Sequence, residues 1–401
     1  MAGMVIAGGG QAAGQAVASL RQAGYKDAIT LFGAETYPPY QRPPLSKQYL
    51  SGEYGLDRVY LRPEKFYADR DVDLKLGVTV SGINPAAHTI STSEGNGITY
   101  DKLLIATGSR PRILDIPGSD LDGIYYLRTI ADVDAIRQAM QSARNLCIIG
   151  GGYIGLEVAS IAVNSGLNVN VLEMESRVLK RVTTPEMSEF YHELHTSHGV
   201  NITLNSTVER FAGKNKVAEI LCGDSRFEAD LVIVGIGILP NIELAEKAGL
   251  ECDNGILVNG RCQTSKPDIY AAGDCTNHPN PILGRRLRLE SVPNAMEQAR
   301  VAATNMNGGD SIYDSVPWFW SDQYDLKLQM VGFSSDGDNQ VVRGDRKSSQ
   351  FAVFYLKDDA VVAVDAINSP REFLVCKRLY GKTVDTGKLQ DPGVDLKSLM
   401  S

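Results

Sequence analysis

Short apolar runs followed by helical spacing set the rhythm of most of the chain. Met4–Ala7 and Leu146–Ile149 contain no charged or hydrogen-bonding side chain apart from the thiol of Cys147, and each leads into a stretch with helical periodicity. Ile29–Phe32 and Val169–Leu172 follow at similar intervals. Runs of this kind, rich in β-branched residues and lacking alternation, predict strands buried on both faces of a parallel sheet. After about Tyr313 the texture changes. Trp318-Phe-Trp320-Ser-Asp-Gln323 opens a region of period-2 alternation, with strands expected at Lys327–Val331, Gln350–Leu356 and Val361–Ala366 and a covering helix at Arg371–Tyr380.

Between each apolar run and its helix stands a glycine pattern, Gly8-x-Gly10-x-x-Ala13 in the first case and Gly150-x-Gly152-x-x-Gly155 in the second. Glycines there allow a tight strand-to-helix turn and let a pyrophosphate approach the helix N-terminus, where free N–H groups and the macrodipole attract anions. The second strand of each unit leads to an acid, Glu35 or Glu173, placed to accept from an adenosine ribose. Two such units in register imply two bound dinucleotides. The repeat extends further: Asp101 to Pro111 aligns without gaps on Asp230 to Pro240, and each copy lies roughly 80 to 95 residues beyond its own glycine turn. One architectural unit is therefore used twice.

The order of these pieces gives the organisation. The expected fold class is α/β: two Rossmann-like three-layer domains plus a small C-terminal α+β domain. The first dinucleotide domain is discontinuous, residues 1–111 and 242–313. The second is inserted as residues 112–241, and residues 314–401 form the C-terminal domain. At 401 residues and 43% hydrophobic content the chain can bury more than one core. A net charge of −8 argues against a nucleic-acid binder. The longest apolar stretch, Leu231–Leu239, is too short and too glycine-broken to span a bilayer, so no membrane association is expected. The first strand begins by Met4, which leaves no room for a leader, so a cytoplasmic location is expected. None of the six cysteines occurs before Cys147 and no two form a C-x-x-C, which argues against a dithiol mechanism. His192, His195 and His198 recur every three residues on a probable helix, a spacing that could suggest a metal. Without a neighbouring cysteine or acid motif it reads better as a packed or solvated helix face, and no metal is expected.

Several segments together carry a specific resemblance: Pro39-Tyr-Gln-Arg42-Pro-Pro-Leu-Ser-Lys47, Ala106-Thr107-Gly108, Gly235-Ile-Gly237-Ile-Leu-Pro240-Asn241, Ala272-Gly273-Asp274 and Arg288-Leu-Glu-Ser-Val-Pro-Asn-Ala295. Along essentially its whole length the chain resembles the FAD-dependent, NADH-dependent ferredoxin reductases of bacterial cytochrome P-450 and ring-hydroxylating oxygenase systems, the putidaredoxin reductase-like group with a glutathione-reductase-type fold. The resemblance implies FAD held at Gly8, Gly10, Ala13, Gly14, Glu35, Arg42, Lys47, Val80, Ala106, Thr107, Gly108, Arg128, Asp274, Val292 and Trp320, with Asp274 on the ribityl hydroxyls. It implies NADH at Gly150, Gly152, Tyr153, Ile154, Gly155, Glu173 and Gly237. Lys47 would reach the flavin near N5 and pair with Glu157 where hydride arrives, the two acting as the catalytic residues. The helix opening at Val292 behind Pro293 would point its dipole at the flavin. Tyr153 could cover the flavin face or could simply be packing. Glu173, followed by Met174 and not by a basic residue, favours NADH over NADPH, although Arg177 lies four residues on.

The implied partner is a 2Fe-2S ferredoxin that binds transiently and feeds a cytochrome P-450 or dioxygenase, with the chain itself a monomer or weak dimer. Arg285, Arg286, Arg288, Arg343, Arg346, Lys347, Lys377 and Arg378 are the docking candidates, and Trp318 and Trp320 either lie on the electron path or pack in the core. Two other readings stay open at this point. One is an NADH oxidase or a rubredoxin, quinone or monodehydroascorbate reductase of the same fold. The other is a redox-sensing interaction protein resembling apoptosis-inducing factor.

Overall fold

The computed structural model describes residues 3–400 and separates into two compact units. The first comprises the segment ending at Arg42, Gly55–Arg110 and Ile238–Pro317; the second comprises Pro43–Tyr54, Pro111–Gly237 and the segment from Trp318 onward.

In the first unit a five-stranded parallel sheet runs in the order Ile269–Ala271, Lys102–Ile105, Met4–Ala7, Ile29–Gly33, Val72–Leu76. The three inner strands are almost entirely buried, as their unbroken apolar runs require. Helices Gln11–Gln22 and Val292–Met306 share one core cluster on this sheet. Small residues make that close approach possible: Ala12, Ala13 and Ala16 on one helix, Ala295, Ala299 and Ala302 on the other. A three-stranded antiparallel sheet, Val80–Asn84, Thr89–Thr92 and Gly95–Thr99, adds to the unit.

The second unit repeats the plan. Its five-stranded parallel sheet runs Ile124–Tyr126, Leu231–Val234, Asn145–Ile149, Asn168–Leu172, Asn201–Thr203, with a three-stranded antiparallel sheet at Arg210–Gly213, Val217–Cys222 and Ser225–Glu228. The correspondence extends to single atoms. At Gly8, with φ +135°, a Cβ would meet the Ala106 carbonyl oxygen at 2.1 Å; at Gly150, with φ +105°, it would meet that of Gly235 at 2.5 Å. Ala106 and Gly235 are the aligned residues of the internal repeat, so the same backbone closeness fixes glycine in both turns.

The same unit carries a five-stranded antiparallel sheet in the order Trp318–Gln323, Leu326–Gly332, Ala360–Ile367, Gln350–Lys357, Asn339–Asp345. Helix Pro370–Leu379 packs on it. The strand Asn339–Asp345 goes beyond the expected set. It pairs on one side only, and its polar positions suit an edge and mask the alternation. Leu328, Phe351, Val353 and Tyr355 of this sheet share a core with Leu156, Met187, Phe190 and Tyr191.

Among the described residues no helix is long and apolar enough to cross a membrane, and no group of histidine, cysteine and acidic side chains could hold a metal ion. The six cysteines are all free thiols, and burial pushes the pKa of Cys252 up to about 11 and that of Cys262 to about 12. Such thiols are poor nucleophiles.

Candidate functional site

Gly10 is the N-cap of helix Gln11–Gln22 and Gly152 that of helix Tyr153–Asn164; neither helix start has a side-chain capping bond. A Cβ at either glycine would find nothing within 4 Å. Each 12-residue helix thus presents its leading N–H groups to open space, the arrangement that accepts a phosphate.

Around the first of these openings, Gly273 lies between helices Gln11–Gln22 and Val292–Met306: a Cβ there would lie 3.4 Å from that of Ala12 and 3.8 Å from that of Ala295. Helix Val292–Met306 is capped by Ser291 and has Pro293 in its first turn. Asp274 accepts from Ser109 Oγ at 2.8 Å. Thr107 and Asn241 bond reciprocally, Oγ1 to the Asn241 carbonyl at 2.7 Å and Nδ2 to the Thr107 carbonyl at 2.9 Å, which rigidifies the Ala106-Thr107-Gly108 turn. Gln11 Oε1, Asn294 Oδ1 and Gln298 Nε2 are buried there without a hydrogen-bond partner. Each such atom costs about 1–3 kcal/mol unless something polar meets it, and a bound dinucleotide offers those partners. Glu35 accepts from Tyr40 Oη at 2.6 Å and from Arg42 Nη2 at 3.0 Å. Burial works against the charge on Arg42, and Tyr40, Glu35 and Asp274 more than offset it, raising its pKa. Gly14 owes its lack of a side chain to packing: a Cβ would sit 2.8 Å from Pro39 and 2.9 Å from Leu61. Val80 lies half-buried in its strand against the core that contains Phe32.

In the second unit Glu173 is turned back on its own glycine turn. Oε2 accepts from the Gly151 N–H at 2.6 Å and Oε1 from the Glu175 N–H at 2.8 Å. Arg177 is committed elsewhere, to the Thr183 and Lys180 carbonyls and Ser188 Oγ. Gly237, at φ +104°, sits beside the Arg181 guanidinium. Ile154 and Met174 are exposed apolar side chains, 43% and 65% accessible, unusual for residues of their size. Tyr153 packs inward, its ring 5.0 Å from Phe319 and its hydroxyl 3.0 Å from Met330 Sδ, and burial drives the phenol pKa well up. Arg128 precedes the Thr129–Asp132 capping box and donates its N–H to Asp132. Trp320 lies tilted against Trp318, which lies against Phe373 under the Lys377 ammonium, 4.1 Å above its ring.

The chemistry converges on Glu157, in helix Tyr153–Asn164, and Lys47, which follows the 3₁₀ turn Pro43–Ser46. Lys47 Nζ is 2.6 Å from Glu157 Oε2. The same oxygen accepts from Ser46 Oγ, while Oε1 accepts from Ser321 Oγ at 2.6 Å. One cation and two hydroxyls thus converge on the buried carboxylate and fix its orientation. A cavity of about 440 Å³ reaches the pair, lined also by Ser160, Asn164, Asp322 and Tyr324. Neither Ser46 nor Ser321 is given a site role by the sequence. Ser46 lies inside the Pro39–Lys47 motif, whereas Ser321 carries no site signal and arrives only through tertiary packing.

Of the basic docking candidates, one is structural. Arg343, 4% exposed, donates to the carbonyls of Leu389, Asp391, Pro392 and Val394. The expectation that it faces a partner is corrected: a guanidinium so spent holds chain segments together. Arg286 donates to the carbonyls of Val258 and Asn277 and stays exposed. Arg346 pairs with Glu189 and Glu193, and Arg288 with Glu290. Arg285, Lys347 and Arg378 are exposed.

A profile of the pyridine nucleotide-disulphide oxidoreductases matches residues 3–299, and one described as reductase C-terminal matches residues 318–400. The chain is 42% identical to the ferredoxin reductase subunit of the 5,5′-dehydrodivanillate O-demethylase of Sphingobium, over 98% of this chain and 97% of that one. It is 42% identical to a putidaredoxin reductase of Pseudomonas putida (99% and 96% covered) and 36% identical to a rubredoxin-NAD(+) reductase of the same species (92% and 96%). Among solved structures, the covalent putidaredoxin reductase–putidaredoxin complex superposes with a TM-score of 0.96 at 42% identity, covering 100% of this chain and 98% of that one. A ferredoxin reductase from Rhodopseudomonas palustris does so at 0.97 and 36%, with both chains fully covered. With the nucleotide-type sheets, the two open helix starts and the buried Lys47–Glu157 pair all present, the chain belongs to the pyridine nucleotide-disulphide oxidoreductase family.

Proposed function

We propose that this chain is the NADH-dependent ferredoxin reductase of a bacterial oxygenase system, with FAD as resident cofactor. The observation that carries the reading is the buried Lys47–Glu157 pair at 2.6 Å, in a chain with two uncapped glycine-turn helix starts and six free thiols. Gly8, Gly10, Ala13, Glu35, Arg42, Ala106, Thr107, Gly108, Asp274 and the helix start at Val292 hold FAD. Gly150, Gly152, Gly155, Glu173 and Gly237 hold NADH, and Tyr153, Ile154, Val80, Arg128 and Trp320 complete the two sites.

When bound, FAD accepts hydride and releases electrons one at a time. The protein's own residues do the rest. Helix dipoles neutralise the two pyrophosphates. Glu173, held by two backbone N–H groups, is preorganised to select a ribose hydroxyl, and the engagement of Arg177 withdraws the cation a 2′-phosphate would need. Glu157, fixed by Ser46 and Ser321, holds the Lys47 ammonium in place. Electrons then leave to a 2Fe-2S ferredoxin, for which exposed Arg285, Lys347 and Arg378 supply steering, and through it to a cytochrome P-450 or dioxygenase. A cytoplasmic location suits six free thiols, which persist where the medium is reducing.

The test is cytochrome c reduction by NADH with and without added 2Fe-2S ferredoxin. Strong dependence on ferredoxin is expected; equal rates without it, or dependence on rubredoxin instead, refute the assignment.

A further inference from the structure

Beyond Ser321 the hydrogen bonds continue away from Glu157 in a line. Gln323 Nε2 donates to Ser321 Oγ at 3.2 Å, His195 Nε2 lies 2.8 Å from Gln323 Oε1, and Tyr324 Oη lies 3.0 Å from His195 Nδ1. The donor directions are fixed by the far end. Glu157 Oε1 needs a donor, so Ser321 gives its proton inward and must accept from an amide N–H. Gln323 therefore turns its carbonyl to His195, whose Nε2 must carry hydrogen. The ring is fully buried, and burial brings its pKa down to about 4 against the pull of the Gln323 bond. His195 is then neutral, Nδ1 is a bare acceptor, and Tyr324 donates to it. Reversing the Gln323 amide would set two donors against each other at His195 and draw the Ser321 proton off the carboxylate.

The outer end of the line is held under backbone strain. Tyr324 occupies the first position of a two-residue hairpin loop between Gln323 and Leu326, with φ +56°, where glycine is the usual residue. Its ring stacks on His198, centroids 3.9 Å apart and planes 21° apart. Strained positions persist where the surroundings over-determine them, and such positions cluster at functional sites. Tyr324 also lines the cavity that reaches Lys47 and Glu157.

We propose that His195 is a positioning residue for hydride transfer: with Gln323 and Tyr324 it forms a one-directional hydrogen-bond chain that, through Ser321, fixes the Glu157 carboxylate against Lys47. Every donor in the chain points toward the carboxylate, so each bond polarises the next. His195 and His198 of that histidine run thus have a use that is neither a metal site nor bare packing. The proposal rests on the reading of Lys47 and Glu157 as the residues that serve hydride transfer.

Two measurements test it. Nitrogen-15 NMR of the imidazole ring, on protein with or without FAD, should report the Nε2–H tautomer at pH 7, identified by the loss of one signal in His195→Gln; an Nδ1–H or doubly protonated ring overturns the chain. Stopped-flow reduction of the holoenzyme by NADH should show His195→Ala slowing the limiting rate about tenfold with little change in NADH affinity, because a small displacement of a positioned group acts on the chemical step. His195→Gln, which keeps a donor toward Gln323, should recover most of the rate, and Tyr324→Phe should fall between. An unchanged rate in His195→Ala, or losses that follow thermal midpoint and flavin content alike in all three variants, refutes the positioning role. Failure of wild-type protein to reduce any ferredoxin would overturn the proposed function while leaving the NMR result intact.

Discussion

Lys47 and Glu157 sit 2.6 Å apart with their side chains only 9% and 3% exposed. Removing one member of such a pair leaves the other charge buried, at a cost of about 3–5 kcal/mol. Glu157→Gln and Lys47→Met should each lower the thermal midpoint and slow flavin reduction. The double variant should be less destabilised than the sum of the two, because no lone charge remains. A thermal-melt double-mutant cycle measures this, and strict additivity would show that the pair is not coupled.

Glu173, proposed above to select the nicotinamide nucleotide's ribose, ties down Gly151 and Glu175. Glu173→Ala should lower the ratio of kcat/KM for NADH over NADPH by about tenfold, through the lost acceptor and the lost repulsion. Adding Ser188→Ala, which frees one bond of Arg177, should shift the ratio further toward NADPH. Steady-state kinetics with both nucleotides decides it; an unchanged ratio would remove Glu173 from the selection of cofactor.

How much of this was legible from the chain depends on the range of the interactions. The parallel strands, glycine turns and acids are local patterns repeated twice, so Met4, Gly8, Glu35 and their counterparts could be read directly. The Lys47–Glu157 pair came from resemblance and is present as a contact in the structure. Ser321, Gln323, His195 and Tyr324 were not assembled, because their side chains belong to a helix and a hairpin more than 120 residues apart in sequence. Arg343 misled for a related reason. Charge on a polar edge strand looks like a solvated surface until a C-terminal segment with five carbonyl and carboxylate oxygens closes over it.

Arg343→Met should therefore behave as a stability variant. Stranding the buried Leu389 carbonyl costs about 1–3 kcal/mol, with the half-open Asp391, Pro392 and Val394 carbonyls adding less, while the ferredoxin KM should stay as it was. Arg378→Glu should do the reverse, raising the ferredoxin KM at low salt with little change in melting. Parallel losses in both properties for either variant would contradict this division.

Asp365 is buried and accepts from Thr183 Oγ1 at 2.6 Å and Tyr355 Oη at 2.9 Å, and burial raises its pKa to about 6. A carboxyl whose pKa is higher folded than unfolded favours the native state most at low pH, and that advantage is lost as pH rises from about 4 through about 6. Asp365→Asn keeps an acceptor for both hydroxyls without the charge. Its stability relative to wild type should improve between pH 4 and pH 8 by up to roughly 3 kcal/mol. Calorimetry at the two pH values measures the difference, and a pH-independent gap would show that Asp365 does not titrate in this window.

The two glycine turns are copies in plan, yet they are not interchangeable parts. At Gly155 a Cβ would lie 2.2 Å from the Gly150 carbonyl, whereas its counterpart Ala13 carries a methyl in full burial. Transplanting the first turn into the second unit would drive that methyl into backbone. The opposite graft would only open a methyl-sized void and loosen a helix start, at about 1 kcal/mol. Any exchange of turns between the two units is therefore a one-way street, and the second unit sets the direction.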